Sequence, residues 1–364
     1  MLIVFHLGHP AHFHLFKNTI KSLDGRGHEF SILIKKKDIL EDLLIDSGLK
    51  YYNILPKGRK DTKFGILLGL IKQDSALFLY CLKNRPDLLV GTSVSISHVG
   101  KILKIPVLNI NEDDAEVVPL YAKLGYPWST YIIAPDCCSV GKWANKKIGY
   151  PGYHELAYLH PDTFVPNKDI VGKYFSTLDN YFIIRFAKLT AHHDKGVRGI
   201  DYELAHRIID TLKPHGRVFI TSERPLEEGL EPYRISIDPS DMHHILAFAQ
   251  LYIGDSQTMA AEAGVLGTPF IRINDFVGKI GYLGELEEKY KLGYGFKPNN
   301  HCLIISQIRE IINMKDRKTL FQQRRDKMLS EKINYSKFLT WFIDGYPKSA
   351  DDIKNNPNII RRFL

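Results

Sequence analysis

The chain has 364 residues, 25% of them charged and 44% hydrophobic, so long disorder is not expected. Lysine and arginine number 49 against 41 acidic residues; the net +8 favours anionic partners such as phosphorylated metabolites, an anionic membrane face or nucleic acid. Cys81, Cys137, Cys138 and Cys302 form no C-x-x-C pair, which argues against a disulfide framework and against a cysteine zinc site.

The opening MLIVFHLGHP reads straight into a strand, without a basic leader or a small-residue cleavage site. A cytoplasmic protein without a signal peptide is therefore expected. Strands are predicted at Leu2–His6, His28–Leu33, Tyr51–Leu55, Asp87–Val90, Val107–Ile110 and Tyr131–Ala134. Helical stretches separate them, among them Phe16–Leu23, Asp38–Asp46 and Lys63–Leu82. This alternation predicts a parallel sheet covered on both faces. Ile148–Asp169, rich in Pro, Gly and aromatics, reads as an ordered inter-domain connection. The alternation restarts with strands at Tyr181–Phe186, Arg217–Thr221, Leu251–Gly254 and Pro269–Ile273. Helices are expected at Asp201–Leu212 and Thr258–Leu266, and a basic helical region from Leu303 onward. The fold class expected is α/β: two doubly wound Rossmann-like domains, 1–155 and 156–335, with a helical tail 336–364 packing back on the first. Ligands of open parallel sheets bind beyond the carboxyl ends of the strands, so a cleft between two such domains is the expected site.

Four loops could carry chemistry. HLGHPAHFHLFKN follows the first strand and holds His9, His12 and His14, with His6 just upstream. Imidazoles at a helix start can act as a base or meet phosphate; metal ligation and simple packing are the competing readings. In GDSQTMAAEAGVLGTP, Asp255, Ser256, Gln257 and Thr258 open a helix whose free N–H groups can hold phosphate oxygens. Glu262, four residues after Thr258, would face the same side and accept from sugar hydroxyls; the bland alternative makes Ser256 a cap and Glu262 a surface residue. RFAKLTAHHDKG carries Arg185, Lys188 and His192, which could grip a diphosphate or merely be solvated. NINEDDAE presents Glu112, Asp113 and Asp114 after a strand, either as acid–base groups or as caps of the next helix. Phe64–Leu82 is apolar enough to touch a membrane, although Lys72, Gln73 and Asp74 interrupt it and a core helix looks the same. No uninterrupted apolar run reaches the roughly 18 residues of a membrane span. Neither a dinucleotide fingerprint, a P-loop, a nucleophile elbow nor a nucleic-acid-binding motif is present.

HPAHFHLFKN, INEDDAEVVPLYAKLGYP, YPGYHELAYLHP, RFAKLTAHHDKG and GDSQTMAAEAGVLGTP together resemble an uncharacterised prokaryotic family of predicted GT-B glycosyltransferases. That family is related to the lipid II-forming N-acetylglucosaminyltransferase and to the non-hydrolysing UDP-N-acetylglucosamine 2-epimerases. The resemblance covers essentially the whole chain. Gly27-His28-Glu29-Phe30 is similar to the transferase's G-H-E-V, and its spacing back to the first loop singles out His12. Asp255, Ser256, Glu262, Ala263, Leu266, Gly267 and Pro269 match the epimerases' D-S-G-G-x-x-x-E-A-x-x-L-G-x-P segment, but Gln257-Thr258 replaces its glycine pair. His192 matches the histidine of their T-x-H-R-R-E-N loop. Gly91-Thr92 stands where they have Gly-Asp, and Asn111, beside Glu112, where they have a glutamate.

The resemblance implies a metal-independent glycosyltransferase that takes a nucleotide-diphosphate sugar, uridine most naturally, as substrate and needs no further cofactor. It would serve surface polysaccharide or glycoconjugate synthesis. Arg185, Lys188, Asp255, Ser256, Gln257, Thr258 and Glu262 would bind the nucleotide sugar. His12, Glu112, Asp113 and His192 would carry proton transfer. A lipid-linked or glycan acceptor and peripheral contact with the inner membrane face are the expected partners; nucleic acid is not. A 2-epimerase or sugar-nucleotide hydrolase, and a non-catalytic sugar-nucleotide-binding assembly protein, are the alternatives.

Overall fold

A computed structural model describes residues 1–37, 39–57, 63–176, 179–187 and 199–364. The chain divides into two compact units, Met1–Tyr158 with Ile333–Leu364, and Leu159–Lys332.

The first unit runs β1 (Leu2–Leu7), α1 (Pro10–Leu23), β2 (Glu29–Lys35), α2 (Leu40–Asp46), β3 (Tyr51–Leu55), α3 (Lys63–Asn84), β4 (Leu88–Gly91), α4 (Val94–Leu103), β5 (Val107–Ile110), α5 (Pro119–Gly125), β6 (Tyr131–Pro135) and β7 (Lys147–Tyr150). Its seven strands are parallel, in the order β3-β2-β1-β4-β5-β6-β7. Such strands are covered on both faces, which is why LLVG and VLNI are buried at every position and, Asn109 apart, read as apolar runs. Helix α1 starts where His9 caps it, Nδ1 accepting the Ala11 N–H at 3.2 Å, with Pro10 at the first helical position. Its Phe13, Phe16, Ile20 and Leu23 are buried. Each such side chain contributes about 1.5–3 kcal/mol to the core.

The second unit runs α6 (Lys168–Val171), β8 (Tyr181–Phe186), α7 (Tyr202–Leu212), β9 (Arg217–Ser222), α8 (Met242–Phe248), β10 (Leu251–Gly254), α9 (Gln257–Leu266), β11 (Phe270–Ile273), α10 (Gly281–Gly284), β12 (Gly293–Phe296), α11 (His301–Asn313) and α12 (Arg317–Glu331). Its five parallel strands lie in the order β12-β11-β10-β8-β9. The apolar faces of α7 and α11 join this sheet in one core cluster.

The chain then returns to the first unit as α13 (Tyr335–Asp344) and α14 (Lys348–Asn355). Helix α13 packs on α1, and Tyr335 stacks on Tyr150 with centroids 4.3 Å apart. Asp344 takes Arg26 at 3.1 Å and His28 at 2.8 Å.

One expectation needs correction, and one strand was not foreseen. The presumed connection at Ile148 begins inside β7, whose Ile148 pairs with Ile133 of β6; the connection proper starts at Pro151. Strand β12 escapes sequence reading because glycine takes two of its four positions.

Strand order locates the sites. In the first sheet the order reverses between β1 and β4, and in the second between β8 and β10. At such a switch point adjacent loops leave in opposite directions and open a crevice at the carboxyl ends. The loops concerned hold His9 and His12 after β1, Thr92 after β4, Ala187 after β8 and Asp255–Thr258 after β10.

Candidate functional site

At the first switch point His12 joins the two loops. Its Nδ1 accepts the Gly8 N–H at 3.1 Å. The Thr92 hydroxyl lies against the ring edge, 2.7 Å from Nδ1 and 2.6 Å from Nε2. Because Nδ1 accepts from the backbone, the neutral ring carries its proton on Nε2 and donates to Thr92. Burial, reinforced by His9, Lys35, His154 and His6, holds the His12 pKa well below the ordinary imidazole value. His6 is buried within β1, and burial lowers its pKa to about 3. Both imidazoles are therefore neutral at physiological pH.

Next to this loop, after β5, Glu112 holds His154. One carboxylate oxygen accepts the His154 main-chain N–H at 3.1 Å, and the other lies 3.3 Å from the ring Nδ1. The ring thus keeps its proton on Nδ1 toward Glu112 and its lone pair on Nε2, which is buried and has no hydrogen-bond partner. Burial lowers the His154 pKa to about 3, and Asp113 acts in the opposite direction. Tyr335 lies face to face with the ring, with centroids 5.8 Å apart. The carboxylate orients this imidazole and leaves its far nitrogen unprotonated, as in a general base; at a pKa of about 3 it accepts a proton effectively only when its burial is relieved. His154 lies in YPGYHELAYLHP, and sequence reading did not single it out. Only its return to Glu112 across 42 residues marks it.

The acids after Glu112 do not cap the next helix, as sequence allowed. Helix α5 starts after Val118 with no side-chain cap. Asp114 instead accepts the Ser139 N–H at 2.6 Å, and the Asp113 N–H bonds the Asn111 side chain at 3.4 Å.

At the second switch point Asp255 ties the loops. It is buried, and its Oδ1 accepts the Ala187 N–H at 2.5 Å. The Ile200 N–H also bonds it, and Arg224 lies 3.5 Å from Oδ2. Gly199 stands so close that a Cβ there would collide with the carboxylate. Asp255 thus fastens residues on both sides of 188–198; Lys188 and His192 lie outside the described residues. Burial pushes the Asp255 carboxyl up to about 6.

Ser256 caps α9, its Oγ accepting the Met259 N–H at 3.4 Å. Gln257 and Thr258 are half-buried at the first turn of α9. Glu262, expected to turn outward to a ribose or to solvent, is buried and takes His243 Nε2 at 3.0 Å. Helix α8 packs on α9 and supplies that histidine. Arg185, at the end of β8, is paired with Glu223. Arg224 bonds the Ile200 carbonyl at 2.7 Å and lies over the Phe186 ring. Among the described residues no group of three or more His, Cys, Asp or Glu is placed to hold a metal ion.

No protein-family model and no curated protein matches the chain. Solved structures do. A UDP-GlcNAc 2-epimerase from Neisseria meningitidis, bound to UDP-GlcNAc, superposes with a TM-score of 0.62 at 15% identity, over 94% of this chain and 99% of that one. The S. aureus MnaA–UDP structure gives 0.63 at 13% identity, over 100% and 97%. The spinosyn rhamnosyltransferase SpnG with its aglycone gives 0.58 at 15% identity, over 93% and 99%. At these identities the likeness is one of fold: the chain has the GT-B-like architecture of two parallel-sheet α/β units that these glycosyltransferases and epimerases share.

Proposed function

We propose that the chain is a glycosyltransferase that uses a nucleotide-diphosphate sugar, with a UDP-sugar as first choice. The observation that carries this reading is the His154–Glu112 pair at the carboxyl ends of the first sheet, with its unprotonated Nε2. In this reading the acceptor hydroxyl oxygen bonds the anomeric carbon while the bond from that carbon to the diphosphate oxygen breaks. The bonding electrons leave with the nucleoside diphosphate, and the hydroxyl proton passes to His154 Nε2. Glu112 positions the imidazole, and its charge together with that of Asp113 must offset the cost of burying the imidazolium formed. His12 donates to Thr92, whose hydroxyl in turn donates to the substrate in the same loop cluster, and Asp113 adds negative charge beside His154. The second unit takes the diphosphate at the start of α9, on the N–H groups of Gln257 and Thr258 and the Thr258 hydroxyl. Arg185, Lys188 and His192 meet the leaving charge in place of a metal ion. Glu262 serves that end through His243. The acceptor is a glycan or a lipid-linked precursor, made and used in the cytoplasm for surface polysaccharide or glycoconjugate synthesis.

The fold shared with 2-epimerases favours one second reading: C2 epimerisation of the same sugar nucleotide. Incubation with UDP-sugars in heavy water separates the two. Transfer predicts nucleoside diphosphate release only with an acceptor, and a loss of about 10²–10⁴-fold in kcat for His154→Asn. Deuterium entering C2 without an acceptor would overturn transfer in favour of epimerisation.

A further inference from the structure

Helix α3 is apolar on two opposite faces and packed on only one. Its inner face carries Gln73, Leu77 and Cys81, all buried, with Gln73 bonded to Ser93 at 3.2 Å and Ser95 at 2.8 Å. On the other side Leu67, Leu68, Ile71, Leu79 and Leu82 are between 40% and 64% exposed. At 100° per residue these five fall within one third of the helix circumference, opposite the buried face. Gly65–Asn84 is long and apolar enough to cross a membrane, yet only 22% of its apolar stretch is buried. The core helix α9 shows what full packing looks like in the same chain: every residue from Met259 to Leu266 is buried. An exposed apolar stripe this long, about 22 Å from Leu67 to Leu82, is not ordinary surface.

Charge identifies what covers it. Lys72 and Lys83 line one edge of the stripe, and both are exposed. Arg85 follows at the helix end, and α4, packed alongside, ends in exposed Lys101, Ile102 and Lys104. The single acid of α3, Asp74, is bonded to His98 of α4 at 2.8 Å, away from this role. Apolar side chains bordered along one edge and at the helix end by cations suit the boundary between acyl chains and anionic headgroups. The buried Gln73 and the packed inner face keep α3 on its sheet, so it lies along a membrane surface rather than crossing it.

We propose that the outer face of α3 docks the first unit onto an anionic lipid bilayer. The surface stands independently of the reaction assigned above. The test is co-sedimentation of the full chain with phosphatidylglycerol-containing vesicles and with pure phosphatidylcholine vesicles, alongside sedimentation velocity without lipid. The expected result is binding to the anionic vesicles that weakens as salt rises. Leu79→Gln with Leu82→Gln should lower the partition coefficient about tenfold or more, with an unchanged unfolding midpoint because both side chains are exposed. Lys83→Glu with Lys101→Glu should weaken binding to anionic vesicles and flatten its salt dependence. Absence of binding to anionic vesicles by a monomeric chain overturns the proposal. So does a concentration-dependent dimer that the leucine variant abolishes without any vesicle binding, since a second copy would then cover the face.

Discussion

Replacing Asp255 by Asn should make stability respond to pH in a way that no exposed carboxylate would. The folded chain pushes this carboxyl up to about 6 from 3.8, because burial outweighs the N–H bonds from Ala187 and Ile200 and the charge of Arg224. The unfolded chain releases the same proton near 3.8. Between those values the folded state holds a proton that the unfolded state lacks. Stability contributed by this group is therefore highest below pH 4 and falls as pH rises through 6. A gap of about two pH units corresponds to about 3 kcal/mol. Asparagine cannot ionise, and its amide oxygen can still accept from Ala187. The variant should thus gain about 3 kcal/mol relative to the parent between pH 4 and 7. For a unit of this size that is about 6–12 °C in unfolding midpoint. Thermal unfolding followed by circular dichroism from pH 4 to 8, read as the difference between the two proteins, cancels the other titrating groups. A difference that stays constant with pH refutes the reasoning, because Asp255 would then ionise alike in both states.

Two further substitutions probe the packing beneath the sites. Arg272 is wholly buried in β11 and grips Glu287 through Nε at 2.8 Å and through its second amino group at 3.2 Å. Arg272→Met leaves that largely buried carboxylate without its guanidinium and should cost about 3–5 kcal/mol in urea unfolding, most of it recovered when Glu287→Leu is added. Gly100 of α4 faces β5 so closely that a Cβ would overlap the Val107 side chain and come within 2.8 Å of the Ile105 carbonyl oxygen. Gly100→Ala should cost about 1–3 kcal/mol by the same measurement, and Val107→Ala added to it should restore part.

Strands buried on both faces, such as LLVG and LYIG, are apolar enough to be recognised without context, and the partly exposed β3 and β9 are recognised from their β-branched and aromatic residues. Where glycine interrupts a short strand, as in β12 and β7, local signal fails and pairing with a neighbour decides. The same division runs through the sites. The histidine loop after β1 and the Asp255–Thr258 turn are recognisable because each follows a strand and opens a helix. Glu262 is recognisable as a residue but not in its environment, since His243, which holds it, comes from another helix.

What the sequence by itself determined, then, are local features: the parallel-strand alternation, the serine that caps α9, and the loops at which chemistry could gather, whereas α1 starts at Pro10, six residues before the expected Phe16. Tertiary structure alone decided which groups carry protons. His12 meets Thr92 across 80 residues and His154 meets Glu112 across 42. The acidity of a side chain depends on the water removed from it and the charges brought to it. Both come from residues that are distant along the chain and become neighbours only when the sheets form. The apolar length of α3 follows the same logic: sequence shows that it could be core or surface, and packing on one face only leaves the other for a partner.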